Sequence, residues 1–413
     1  MRTLAYLSSL LLIFMIPWED VINLPTIGTA AKSVGILMAV LWLGAVLLSG
    51  KFRKPAPFHI VAGIFILWNV ASILWSHNSS KTINHLITIV QLYALTVILW
   101  DLCTTELHLL TAMQMYILGA YVASGNTLYN YFSGTSFYYE RFSADGTNPD
   151  DLGIILAIGL GMAWYLAVAL KPTRFAGLLR MVNYSYIPVA FLGIALSGTR
   201  TALLATVPGV LFGLASLTRL NIWTRVAIFV LMLGVGAFLL PYIPKASLDR
   251  LGTTGSELSG GDLNGRLEIW RQGYVSFTRH PILGVGASMF RSINTVGKSV
   301  GKVAHNTYLS VLVEVGLVGF SLFALMLIIV GVQAVRQPRW ESRLWLATLL
   351  TWALGAFSLT WENRKQTWLV LGLIIVSSAI AHQTAESQLP AALAEQDEEE
   401  DEQVVTEAIP SFG

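Results

Sequence analysis

The 413-residue sequence predicts an all-α, polytopic membrane protein. Two compositional facts and one pattern point there. Hydrophobic residues make up 54% of the chain, charged residues only 12% against about 25% in soluble domains, and the apolar residues fall in continuous runs. A helix needs about 20 apolar residues to cross a bilayer. Transmembrane β-strands would alternate apolar and polar residues, so a closed barrel is excluded and a helix bundle remains.

Twelve runs qualify as spans, near 4–17, 30–49, 58–75, 83–100, 107–129, 152–170, 182–197, 201–217, 226–240, 307–335, 344–360 and 368–382, the first and seventh being short. The first follows Arg2 as a signal peptide would. Pro17-Trp18-Glu19-Asp20 stands where a small-residue cleavage site would be needed, so it reads as a retained span. The connection 76–81 contains Asn78-Ser79-Ser80, a short glycosylation-type pattern of low specificity. The connection 132–150, with Gly134, Gly146 and Asn148-Pro149-Asp150, has turn chemistry and reads as a lid or groove wall. Cys103 is the only cysteine, which excludes an intramolecular disulfide.

Orientation follows the Lys and Arg bias of short loops. The connections 51–54, 171–180, 219–225 and 336–343 hold eleven basic residues, and the opposing ones hold six: Lys32, Lys81, Arg141, Arg200, Arg364 and Lys365. The richer set belongs in the cytoplasm, which places both termini there and the long 241–304 loop outside. The organisation expected is therefore nine helices over 1–240, an outer loop with an amphipathic helix over 241–304, three helices over 305–384 and an acidic, disordered cytoplasmic tail over 385–413.

The outer loop carries eight Lys or Arg against four acidic residues, which suits an anionic ligand at a membrane surface. Within it Leu267, Trp270, Tyr274 and Phe277 recur at helical spacing, predicting an amphipathic helix with Asn264 as N-cap and Arg266 in its first turn. Free backbone N–H groups at a helix start already favour anions, and a guanidinium adds a bidentate fork for phosphate. Arg200, in Ser197-Gly198-Thr199-Arg200, sits between two spans at the same boundary, where a charge is functional or snorkels to lipid phosphates.

His305 opens Ala304-His305-Asn306-Thr307-Tyr308 just before the tenth span. Its imidazole can take a proton from a hydroxyl at neutral pH, although a histidine at a helix start also serves structure alone. No His/Cys cluster has metal-ligand spacing, so a zinc site is not expected. Asn306 would cap the helix or orient the imidazole. Glu314 lies nine residues on, roughly on the opposite face, and is expected to pair with a neighbouring span. Gly284-Val285-Gly286 is a weak phosphate-loop signal that reads better as a turn.

Taken in order, Gly198-Thr199-Arg200-Thr201, Gly265-Arg266-Leu267-Glu268-Ile269-Trp270, His280-Pro281-Ile282-Leu283-Gly284-Val285-Gly286 and His305-Asn306-Thr307-Tyr308-Leu309 resemble the bacterial O-antigen ligase and polymerase superfamily. The resemblance implies a membrane glycosyltransferase bundle in the bacterial inner membrane. It would transfer a glycan from undecaprenyl diphosphate to an acceptor hydroxyl on the periplasmic face, with inversion and without cofactor or metal. By motif, Arg200 and Arg266 would hold the diphosphate and His305 would be general base, supported by Asn306, Tyr308, Trp270 and Glu314. The implied partners are the lipid-linked donor, a glycan or lipid acceptor, membrane lipids and other polysaccharide assembly and export proteins; no nucleic acid is implied. Polymerase and ligase both remain open, with a lean to polymerase because the outer loop is compact. A lipid-glycan flippase is the competing class, but it would place charges at mid-membrane on several spans.

Overall fold

The computed structural model describes residues 1–24, 28–136, 140–170, 175–253, 255, 260–261, 265–293 and 301–407, without the side chains of 239 and 388–407. It is helical almost throughout. The elements are α1 (Arg2–Met15), a two-stranded antiparallel ribbon of β1 (Asn23–Leu24) and β2 (Gly28–Thr29), α2 (Ala30–Ser49), α3 (Pro57–Ala71), α4 (Ser79–Leu102), α5 (Glu106–Phe132), α6 (Pro149–Ala169), α7 (Ala176–Ser197), α8 (Arg200–Ser216) and α9 (Ile222–Leu239). The loop region adds α10 (Lys245–Gly252), α11 (Arg266–Arg279) and α12 (Phe290–Ile293), and the chain closes with α13 (Thr307–Val335), α14 (Arg339–Ala356) and α15 (Lys365–Glu407).

Among the described residues ten helices are long and apolar enough to span, two fewer than the twelve expected. The two others exist as helices. α1 falls short even when its terminal turn extends it to Trp18. α14 has the length, but Arg339, Glu341 and Arg343 lie inside it and dilute its apolar character. Both are nonetheless built into the bundle, α1 against α2 and α5, and α14 against α6, α8 and α13. The chain is thus an all-α, multi-pass membrane protein. α15 runs to Glu407, so its bounds include the acidic segment that the sequence reads as disordered.

α6 is the axis of the bundle, buried from Leu152 to Ala167 without interruption. It packs on α5, α7, α8 and α14. Small residues let those backbones approach: a methyl at Gly153 would stand 2.5 Å from Ala202 Cβ, and one at Gly193 of α7 would stand 2.5 Å from Leu156. Buried tyrosines bond across helices to the backbone of α6, the Tyr116 and Tyr186 hydroxyls donating to Ile155 O and Leu156 O, both at 2.9 Å.

The two ends of the bundle differ. At one, Asp101 gathers Arg2 at 2.7 Å, Trp42 Nε1 at 2.9 Å and the Arg53 backbone N–H at 2.8 Å, tying the start of α1 to the ends of α2 and α4. At the other lie the starts of α6, α8, α13 and α15 and the ends of α1, α5 and α7. Every residue to which the sequence assigns transfer chemistry lies at this second end.

Candidate active site

Asp150 organises the site. It stands in the first turn of α6, where Asn148 caps the helix by accepting from the Asp150 backbone N–H at 2.8 Å and Pro149 fills a position that needs no donor. Its carboxylate accepts from Arg141 at 2.6 Å and from the Thr199 hydroxyl at 3.2 Å, and it lies 3.5 Å from Arg266. Arg141 is fixed further by donating to Ser197 O at 2.7 Å and Thr199 Oγ1 at 3.0 Å. One carboxylate thus faces two guanidinium groups, a net positive cluster just outside the apolar part of α6.

Arg266 opens α11, after Gly265, which takes the left-handed φ of 76° that a glycine adopts without a Cβ penalty. The cap expected at Asn264 lies outside the described residues. The Arg266 side chain is only 16% exposed, and burial holds its pKa below the usual arginine value while Asp150 works against that shift. The apolar face of α11 differs from expectation. Ile269 and Gly273 are its buried positions and Trp270 and Phe277 pack beside them, whereas Leu267 and Tyr274 are exposed. The helix is held inward by one edge of its apolar stripe.

His305 is positioned by its neighbours. Trp270 Nε1 donates to Ala304 O at 2.9 Å, the Asn306 carboxamide accepts from Leu309 N at 3.0 Å, and Tyr308 donates to Ala353 O at 3.2 Å. Asn306 therefore caps α13, the first of the two roles expected of it. His305 itself adopts φ 47°, a left-handed conformation that costs a non-glycine residue about 1–3 kcal/mol and is maintained where the surroundings demand it. Burial lowers its pKa to about 4, assisted by the Arg266, Lys302 and Arg291 charges and opposed by Asp150. The imidazole is neutral at pH 7 and has a lone pair to offer.

Among the described residues the Glu314 carboxylate bonds to the outer loop and not to a neighbouring span. It accepts from the backbone N–H groups of Ser288 at 2.7 Å and Phe290 at 3.0 Å, both in the outer loop. The same loop docks on α13 where that helix breaks at Gly316 (φ 66°), with Val285 N donating to Val313 O at 3.0 Å and Gly286 N to Glu314 O at 2.8 Å. A Cβ at Gly284 would fall 2.5 Å from Glu314 O. Gly284-Val285-Gly286 is thus a close-packed turn, not a phosphate cradle. Asn78 similarly caps α4, accepting from Lys81 N at 3.1 Å.

Arg266 and His305 are therefore brought together, with Asp150 acting on both. Arg200 is held by different partners. At the start of α8 its Nε donates to Arg250 O at 2.6 Å and its Nη2 to Thr253 Oγ1 at 2.5 Å, so it fastens α10 beside Thr199. Sequence reasoning missed Arg141 and Asp150 as site residues. The available signal was Asn148-Pro149-Asp150, a helix start that places a carboxylate in the first turn.

Comparison with known proteins bears on the same stretch. Residues 185–324 match the family model described as O-antigen ligase, a segment that contains Arg200, Arg266, His305 and Glu314 but neither Arg141 nor Asp150. Over 285 residues the chain is 24% identical to the exopolysaccharide production protein ExoQ of Rhizobium meliloti (strain 1021), covering 66% of this chain. Both findings support the O-antigen ligase and polymerase superfamily. The chain spans 62% of the length of that curated relative.

Proposed function

We propose that this superfamily chain transfers a glycan from a polyprenyl-diphosphate donor to an acceptor hydroxyl at the periplasmic face of the bacterial inner membrane. The observation that carries this reading is the Arg141–Asp150–Arg266 cluster beside a neutral His305. His305 takes the proton as the acceptor oxygen attacks the anomeric carbon. The bond from that carbon to the phosphate oxygen breaks, and the diphosphate leaves with its charge held by Arg266 and Arg200. Attack opposite the leaving group inverts the anomeric centre. Arginine charge fills the role a divalent cation plays elsewhere. No second carboxylate is needed as acid, because a lipid diphosphate departs without protonation.

The similarity to an exopolysaccharide production protein favours polymerisation of surface-glycan repeats over delivery to a lipid A core. Purified protein given defined polyprenyl-diphosphate glycan should lengthen it on a second lipid-linked unit. Transfer only to a lipid A core acceptor would replace the polymerase by a ligase, and unassisted movement of intact donor across a bilayer would replace both by a flippase.

The sidedness has its own test. In a Cys103→Ser background, a cysteine replacing Arg271, whose side chain is 70% exposed on α11, should react with a membrane-impermeant thiol reagent in spheroplasts, and one replacing the 65% exposed Phe175 should not. The opposite labelling pattern would reverse the orientation.

A further inference from the structure

Between α1, α2 and α4 lies a cavity of about 460 Å³ that the transfer chemistry at His305 leaves unused. Its mouth carries Lys32, Arg364 and Lys365 together with Glu19 and Asp20. Lys365 is paired with Glu19, and Arg364 reaches Asp151 at 3.1 Å. Lys32 is exposed and has no carboxylate within ion-pair distance among the described residues. Below the mouth the walls turn mostly apolar, with Leu12, Ile36, Leu92 and Leu95, beside Thr88 and Gln91 of α4.

Lys32 and Val40 both line the cavity, and the eight residues between them correspond to about 12 Å of helix. The apolar shaft thus descends towards the middle of a hydrocarbon core about 30 Å thick. Ile36 and Val40 are also among the exposed apolar residues of α2, as suits a shaft reached from lipid. A rim lysine outside any ion pair among the described residues, over a mostly apolar shaft, matches an amphiphile with a phosphate head and a hydrocarbon chain.

Its place relative to His305 narrows the ligand. Thr307, two residues after His305, accepts from the Trp361 backbone N–H at 2.8 Å, and Lys365 follows four residues later. Four residues of chain reach at most about 14 Å. A phosphate at the mouth would lie a short oligosaccharide away from the base.

Building on the polymerase reading, we propose that this cavity holds the acceptor: the diphosphate and first isoprenoid units of a second polyprenyl-linked glycan, whose far hydroxyl reaches His305. The acceptor's own phosphate bonds stay intact throughout. Its hydroxyl oxygen joins the donor's anomeric carbon, the donor's phosphate bond breaks, and the proton passes to His305.

The test uses the full chain in nanodiscs, with donor and acceptor carrying different glycans so that their KM values are read separately. Lys32→Glu, and Gly35→Leu directed at the shaft, are each expected to raise the acceptor KM about tenfold or more while the donor KM holds; Lys32→Arg should behave as wild type. An unchanged acceptor KM, or a rise in the donor KM instead, would overturn the assignment. A diazirine-bearing polyprenyl diphosphate should also crosslink to α2 near Ile36, with competition by polyprenyl-diphosphate glycan and not by phosphatidylglycerol. Competition by the phospholipid would make this an ordinary lipid site. Absence of transfer in wild type with crosslinking preserved would count against the polymerase reading and leave a lipid-diphosphate site standing.

Discussion

Replacing His305 by alanine is expected to slow glycan transfer at least about a hundredfold while donor binding is retained, since a positioned base contributes about 10² to 10⁴ in rate. The arrangement around the ring makes the loss kinetic. Trp270, Asn306 and Tyr308 hold the backbone on either side, so removing the imidazole leaves the diphosphate cluster in place. A pKa near 4 ensures the unprotonated form at neutral pH but makes a weak base. Donor diphosphate seated by Arg266, as proposed, would bring negative charge that offsets the cations acting on the ring and would raise its pKa. Because the base works unprotonated, rate falls as pH drops through that pKa. The acid limb of kcat/KM, which reports the free enzyme, should therefore sit near 4, and the acid limb of kcat should sit higher. Single-turnover transfer with His305→Ala, backed by donor binding, is the measurement; a rate near wild type would remove the base assignment. Wild-type transfer in excess chelator should match that in magnesium, and its loss would end the metal-free mechanism even with the histidine essential.

Arg266→Lys is expected to lower kcat/KM for donor by about 10- to 100-fold, the equivalent of one charge-assisted hydrogen bond of about 1.5–3 kcal/mol. Lysine preserves the charge and loses the planar fork. It would also leave Asp150 with Arg141 as its remaining guanidinium partner. Arg200→Lys is the companion measurement: by motif it belongs to the same diphosphate, and it also ties α10 to α8. Full activity with unchanged donor affinity in both lysine variants would refute phosphate recognition by these residues.

The spans were legible because lipid forces long uninterrupted apolar helices, and 307–335 coincides with α13 to the residue. Where a helix shares its length with charges, as α14 does with Arg339, Glu341 and Arg343, composition and architecture part company. Arg266 and His305 stand out locally as candidates because each stands at a helix start with a distinctive neighbourhood. Asp150 does not. Its role comes from Arg141 nine residues before it, Thr199 49 residues after it and Arg266 116 residues after it. The same is true of Asp151, which accepts from Trp361 Nε1 at 2.6 Å across 210 residues. Nor does a sequence show that His305 is held at positive φ, since that conformation is imposed by packing and not by residue type.

Asp150 also bears on how a turnover ends. A site made only of arginines would grip the departing lipid diphosphate as firmly as the incoming donor, and the enzyme would stall on its product. With a carboxylate only 3.5 Å from Arg266, the guanidinium has an internal partner to return to once the glycan has gone. On the proposed mechanism, eviction of the spent carrier would thereby be built into the resting site, and the arginine assigned to the leaving group need not retain it.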